Sequence, residues 1–175
     1  PVIKNSYYSE IFSPETAFQM TSILEGVVQR GTAKKLRDLN LNIAGKTGTT
    51  NKNTDTWFIG YTSDLLIGVY VGSDNPTSLG KYETGSKTAL PIFKNFIKDS
   101  VKKSEARPFK AAEGTVMMVV DPLTGQKANF TSKNTIIEVF KKKNISDGKI
   151  IFSNTDRLDT NNILKFYWWI IIIKT

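Results

Sequence analysis

The chain reads as an α+β protein in which an antiparallel sheet is flanked by helices. Two stretches, 13–33 and 87–103, repeat apolar residues at helical spacing. Between them, residues 42–72 hold short runs of strand character separated by turn residues. With 175 residues, 39% of them hydrophobic, the chain is long enough to bury a real core as one ordinary domain.

Each element follows from local chemistry. In "SPETAFQMTSILEGVVQRGTA" (13–33), Ser13 is a good N-cap, and Pro14 sits where its missing N–H costs nothing. Ala17, Met20, Leu24, Val27 and Val28 form the helical repeat, and Gly31 is a natural stop. A short polar link carrying Lys34, Lys35 and Arg37 follows. "DTWFIGYT" (55–62) is aromatic and β-branched, and "LLIGVYVG" (65–72) is nearly all apolar. Ser63-Asp64 between them is short enough for a hairpin, and "NKNTD" before them is turn-rich. Residues 42–72 are therefore expected to form three consecutive antiparallel strands. Trp57, Phe58 and Tyr61 are expected in core and sheet packing, with Asp55 closing the turn.

"KTALPIFKNFIKDSVKK" (87–103) predicts a second helix. Ala89, Ile92, Phe93, Phe96, Ile97 and Val101 make its apolar stripe, which should cover one face of the sheet. "GTVMMVVDPLTGQKA" (114–128) predicts a strand, a turn and a return strand. From about Asn144 the chain is Asn-, Asp- and Ile-rich without clear periodicity, and there is no internal repeat.

Composition narrows the chemistry. No histidine and no cysteine occur, which removes Ser-His-Asp and Cys-His nucleophiles, zinc sites of the HExxH kind and thiolate clusters. Acid–base work falls to Lys, Tyr, Asp or Glu, and no metal or cofactor is expected. The net charge of +8 allows anionic partners, although the abundance of Lys, Asn and Ile also fits a plain compositional bias. The chain opens on Pro1 without a charged-then-apolar segment, so it is expected to be trimmed or to belong to a longer polypeptide. Its longest apolar run, Phe166 to Ile173, is well short of the roughly 20 residues of a spanning helix.

The stretch that packing does not explain is "NIAGKTGTTN" (42–51). Gly48 lets a substrate backbone approach closely. Thr47 and Thr49 offer hydroxyl donors and Lys46 a positive charge, a set suited to a carboxylate. A backbone N–H just past the glycine can donate to a developing oxyanion. S-x-x-K, S-D-N and K-T-G occur together in β-lactamases and penicillin-binding proteins. A bare KTG is weak, but here KTGTTN leads into "DTWFIGYT" and "GVYVGSD" at fixed offsets.

On those residues, "IAGKTGTTNKNTDTWFIGYTSDLLIGVYVGSDNPTSLG" resembles the C-terminal half of the transpeptidase domain of class A penicillin-binding proteins. The match extends from "SPETAFQMTSILEGVVQRGTA" through "ETGSKTALPIFKNFI", "EGTVMMVVDPLTGQKA" and "NTIIEVF", roughly residues 5 to 140. The resemblance implies part of a β-lactamase/transpeptidase-like fold, incomplete, with the KTG strand lining the cleft. It implies residues 1–105 as the C-terminal half of that domain, 106–143 as a β-hairpin extension and 144–175 as a poorly defined tail.

In that family a serine attacks the penultimate D-alanyl carbonyl of a peptidoglycan stem peptide, and β-lactams acylate the same serine. Carried over, Lys46 would aid proton transfer and carboxylate binding. Thr47, Gly48, Thr49 and Thr50 would form the substrate-binding strand, with the Thr49 N–H as half of the oxyanion hole. The implied location is the periplasmic face of the bacterial cytoplasmic membrane.

The family order is SxxK, SxN, KTG, yet only 45 residues precede Lys46 and neither earlier motif is among them. The nucleophile is therefore expected upstream of residue 1, and the missing N-terminal half of the domain is the expected partner. Ser78-x-x-Lys81, Ser100-x-x-Lys103 and Ser146-x-x-Lys149 match SxxK as letters, and Ser73-Asp74-Asn75 and Ser132-Lys133-Asn134 match SxN. All follow KTG, and SxxK needs a helix start with a desolvated lysine.

Two alternatives stay open. One is a non-catalytic remnant. The other is a basic anion- or nucleic-acid-binding module built on Lys34, Lys35 and Arg37 or on Lys141, Lys142 and Lys143. No stacking aromatics accompany those clusters, so no specific nucleic acid is expected.

Overall fold

The computed structural model describes residues 10–75, 77–102, 106–129, 132–146 and 149–150. Helix α1 spans Pro14–Gln29; Ser13 caps it, its Oγ accepting the Thr16 N–H at 3.4 Å. The expected stripe is corrected at its N-terminal end. Ala17 and Met20 are exposed and Phe18 is buried in their place, while Val27 and Val28 are buried as expected. Val27 and Val28 join the core beneath the sheet, Thr21 bonds to Tyr61, and Thr16 and Gln19 bond to Lys141 and Val139.

The basic link is also more than a link. Lys34–Leu39 forms a 3-10 turn that exposes its cations while burying Leu36 and Leu39, and Asn40 ends it in the left-handed conformation (φ 52°). Its side chains divide because one turn has one inner face.

Strands β1 (Ala44–Thr49), β2 (Thr56–Tyr61) and β3 (Leu66–Val71) form an antiparallel sheet in that order, as expected. Thr47 faces Phe58 across β1–β2, and Phe58 faces Val69 across β2–β3. Alternation puts Thr47, Thr49, Thr56 and Phe58 on one face, and Lys46, Gly48, Trp57, Ile59 and Tyr70 on the other. The 51–55 turn is closed by Asp55, whose N–H donates to Thr50 Oγ1 (2.8 Å) and whose carboxylate accepts from Tyr70 (2.7 Å).

Helix α2 (Ala89–Ser100) covers the Phe58 face. Phe93 meets Phe58 edge-to-face with ring centroids 4.7 Å apart, and Leu90 and Ile97 complete this contact. Two members of the expected stripe are displaced: Ile92 and Phe96 are exposed, and Leu90 takes the core position. Trp57 keeps the expected sheet packing, against Tyr70, but not a core position, since it stands 41% exposed on the face opposite the core.

Strand β4 (Thr115–Val120) pairs antiparallel with β5 (Ile136–Lys141). The return strand expected before Ala128 is reduced to one bridge, Val120 to Lys127. Gln126, Lys127 and Asn129 are polar and Ala128 is small, none of them β-branched, whereas "IIEVF" is rich in β-branched and aromatic residues, and the better strand former takes the ladder. The hairpin is fastened to α1. Gln19 Nε2 donates to the Val139 carbonyl (3.0 Å), Lys141 Nζ to Thr16 Oγ1 (2.7 Å), and Arg30 pairs with Glu138. Burial pushes the Glu138 carboxyl above its ordinary range, and Arg30 offsets part of that rise.

Two short strands, β6 (Ile145–Ser146) and β7 (Lys149–Ile150), pair beyond β5. The apolar run from Phe166 to Ile173 lies outside the described residues, as does Lys103. No helix among the described residues is long and apolar enough to cross a membrane.

Candidate active site

The geometry of the site follows from the register of β1. In an antiparallel ladder alternate pairs exchange hydrogen bonds. Thr50 N–H donates to the Asp55 carbonyl at 3.0 Å, which makes that pair a hydrogen-bonded one. By alternation Gly48–Trp57 and Lys46–Ile59 are hydrogen-bonded pairs as well. The backbone groups of Thr47 and Thr49 therefore point away from β2. Since β1 has only β2 as a strand neighbour among the described residues, they point to its open edge.

Lys46 starts on the outward face, half-buried. Its Nζ donates to the Thr47 carbonyl at 2.8 Å, so the ammonium bends round to that same edge. Burial pushes the Lys46 ammonium below its usual pKa, and no carboxylate among the described residues pairs with it to oppose the shift. A lysine held this way can bind an anion or give up a proton more readily than a solvated one.

The hydroxyls lie on the inward face. Thr47 is nearly buried, with its Oγ1 3.0 Å from Thr32 Oγ1, one of the two donating. Thr49 Oγ1 accepts the Gly85 N–H at 3.1 Å, which leaves the Thr49 O–H to donate elsewhere. Alternation thus brings together the Lys46 ammonium and the backbone of Thr47 and Thr49, and sets the two hydroxyls to the other side of the strand. Gly48 lies between, and a side chain there would meet Trp57 Cβ at 3.3 Å. Thr50 is exposed and turned to the 51–55 turn, bonded to Thr54 Oγ1 at 2.8 Å.

Two residues escape a reading of the motif alone. Thr32 lies 15 positions before Thr47, and Gly85 lies 36 positions after Thr49. A Cβ on Gly85 would stand 2.5 Å from the Trp57 carbonyl and 2.6 Å from that of Gly48, so the backbone there needs glycine to approach the strand. "RGTA" and "ETGS" carry the local signals, a glycine beside hydroxyls, but nothing in one sequence ties either to KTG.

The serines that match SxxK as letters sit elsewhere. Ser100 is the last residue of α2, Ser78 Oγ accepts the Gly80 N–H, and Ser146 faces Lys149 across β6–β7. None opens a helix. Of the SxN matches, Ser132 bonds its own loop through Asn129. The cations of the 34–39 turn border a shallow surface depression with Lys94, which Asp38 already pairs at 2.6 Å.

Residues 5–98, over half the chain, match the penicillin binding protein transpeptidase domain model. The sequence is 42% identical to Penicillin-binding protein 1A of Rickettsia bellii over 145 residues, 83% of this chain and 18% of that one. It is 38% identical to Penicillin-binding protein 1A of Pseudomonas aeruginosa over 134 residues, 76% of this chain and 16% of the other. The crystal structure of Penicillin-Binding Protein 1A from Haemophilus influenzae superposes with a TM-score of 0.67 at 28% identity, covering 77% of this chain and 22% of that chain. The chain spans about a fifth of the length of these relatives. Its α+β fold is that of the transpeptidase structure, in part. The chain belongs to the penicillin-binding protein transpeptidase family, on its class A branch.

Proposed function

We propose that this chain supplies the KTG wall of a peptidoglycan DD-transpeptidase site and takes its nucleophile from residues outside these 175. The observation that carries the proposal is the edge of β1. There a half-buried Lys46 ammonium and the outward-pointing backbone of Thr49 face the same side. An extended peptide laid along that edge would add as a further strand. Its terminal carboxylate would meet Lys46, while the Thr47 and Thr49 hydroxyls, on the other side of the strand, would hold β1 in place through Thr32 and Gly85. Its scissile carbonyl would lie at the Thr49 N–H, which would stabilise the oxyanion as an acyl bond forms. Gly48 and Thr50 would complete the strand against which the peptide lies. Family membership supports the stem peptide and β-lactams as ligands, and the periplasmic face of the cytoplasmic membrane as the setting.

The rest of the transpeptidase domain is the proposed partner, and its packing surface is the outward face of the sheet. Trp57, Ile59 and Tyr70 are 41–49% exposed there, and Leu66 is 69% exposed beside the open edge of β3. The serine and its lysine would approach Lys46 from that side. We read residues 106–143 as an appendage clasped to α1.

The test is complementation. A second chain carrying SxxK and SxN from a class A relative, mixed with this one, is expected to become labelled by a fluorescent penicillin. Lys46→Met should slow that labelling at least tenfold. No labelling of a correctly formed complex would overturn the proposal.

A further inference from the structure

The hairpin of β4 and β5 reaches the KTG strand through the residues that end α1. Glu138 of β5 is buried and pairs with the Arg30 guanidinium. Arg30 folds back across its own helix to do so. A Cβ at Gly26 would stand 2.8 Å from the guanidinium carbon, so glycine there opens the path. Two residues on from Arg30, Thr32 Oγ1 lies 3.0 Å from Thr47 Oγ1. The Thr47 carbonyl in turn accepts from Lys46 Nζ at 2.8 Å.

The segment between these contacts is tightly fastened. Arg30 N–H donates to the Gly26 carbonyl (2.8 Å), and the Gly31 and Ala33 N–H groups both donate to the Val27 carbonyl (3.1 Å each). Ala33 is fully buried, and a Cβ at Gly31 would meet the Val27 backbone at 2.9 Å. A guanidinium fixed on one side of this segment therefore fixes a hydroxyl on the other. Packing alone asks for neither contact. Thr32 is exposed, and a buried ion pair seldom stabilises a fold more than an apolar pair of the same shape. We infer that Glu138 is a positioning residue for the Lys46 ammonium, acting through Arg30, Thr32 and Thr47. The inference rests on the function proposed above, in which that ammonium receives the peptide carboxylate. The ties of the hairpin to Gln19 and Thr16 lie nearer the start of α1 and stand outside this line.

The test follows the NMR resonances of the Lys46 Cε and the Thr47 amide in the 175-residue chain. Glu138→Gln should move both, and so should Thr32→Val, which leaves the hairpin fastened. Thr32→Ser, which keeps the hydroxyl, should move neither. Gln19→Ala, which loosens the hairpin away from this line, should also leave both in place. In the complex with a chain carrying SxxK and SxN, Glu138→Gln and Thr32→Val should each slow penicillin labelling about three- to tenfold. The double variant should be no slower than the slower single one, because the two residues act in series. An unmoved Lys46 in Thr32→Val, an equal movement in Gln19→Ala, or rate effects that multiply would overturn the inference and leave the KTG wall standing. A complex of the unaltered chain that takes no label would overturn the wall, and the rate effect with it.

Discussion

The two faces of the three-stranded sheet are built in alternation, yet one is finished and the other is covered only at its Ala44–Tyr61 end, where Thr21 and Phe109 meet Tyr61. On the inward face Phe58 and Thr56 are fully buried under α2. On the outward face Trp57, Ile59 and Tyr70 leave two-fifths to half of their surface in water beside Lys46. A sheet whose two faces both carry large apolar side chains is built for cover on both sides. The inward cover comes from this chain. The outward cover is the place proposed for the rest of the domain, and the ammonium of Lys46 waits at that boundary.

The largest expected effect breaks the finished face. Phe58→Ala removes a fully buried ring from its contact with Phe93, and should destabilise the chain by about 3–5 kcal/mol in urea unfolding. Trp57→Ala, one residue along on the open face, should cost only about 1 kcal/mol, most of it the contact with Tyr70 at 4.8 Å. Equal losses would mean that the open face is already covered. Next comes the loop that braces the motif from beneath. Gly85→Ala drives a Cβ into two carbonyls and should cost about 1–3 kcal/mol, with the Thr49 amide resonance displaced.

The smallest effect has the opposite sign. Lys46 keeps a charge half out of water with no acid among the described residues paired to it, so Lys46→Met should stabilise the chain at neutral pH. The gain should not exceed about 1 kcal/mol, because water still screens the exposed half. Its pH dependence follows from the depressed folded-state value. Stability tied to Lys46 is fully present above the unfolded pKa of about 10.4, and is lost as pH falls through the lower folded value. The advantage of Lys46→Met should therefore shrink as pH rises through that window, measured by denaturant midpoints. A fold-stabilising loss of the motif lysine would mark the site as one held at a cost in stability.

The fold was legible wherever periodicity was clean. Three strands, two helices and the hairpin at Ser63-Asp64 follow from alternation, capping and turn chemistry. What alternation could not give was which face a partner would cover, so Trp57 and Phe58, adjacent aromatics of similar character, read alike and ended on opposite sides. In the helices Ile92 and Phe96 were indistinguishable from Phe93 and Ile97 by residue type alone. In the same way the motif disclosed Lys46, Thr47, Gly48 and Thr49 as a group, but not that Lys46 meets the Thr47 carbonyl at the open edge. Thr32 and Gly85 were invisible, because contacts across 15 and 36 residues leave no local pattern.

The most direct test of the central claim is the intact mass of the 175-residue chain after exposure to a reactive β-lactam. An unmodified mass is the predicted result, because the wall alone holds no activated serine. A single stable adduct, mapped to Ser100, Ser78 or Ser146, would contradict it and place the nucleophile within this chain.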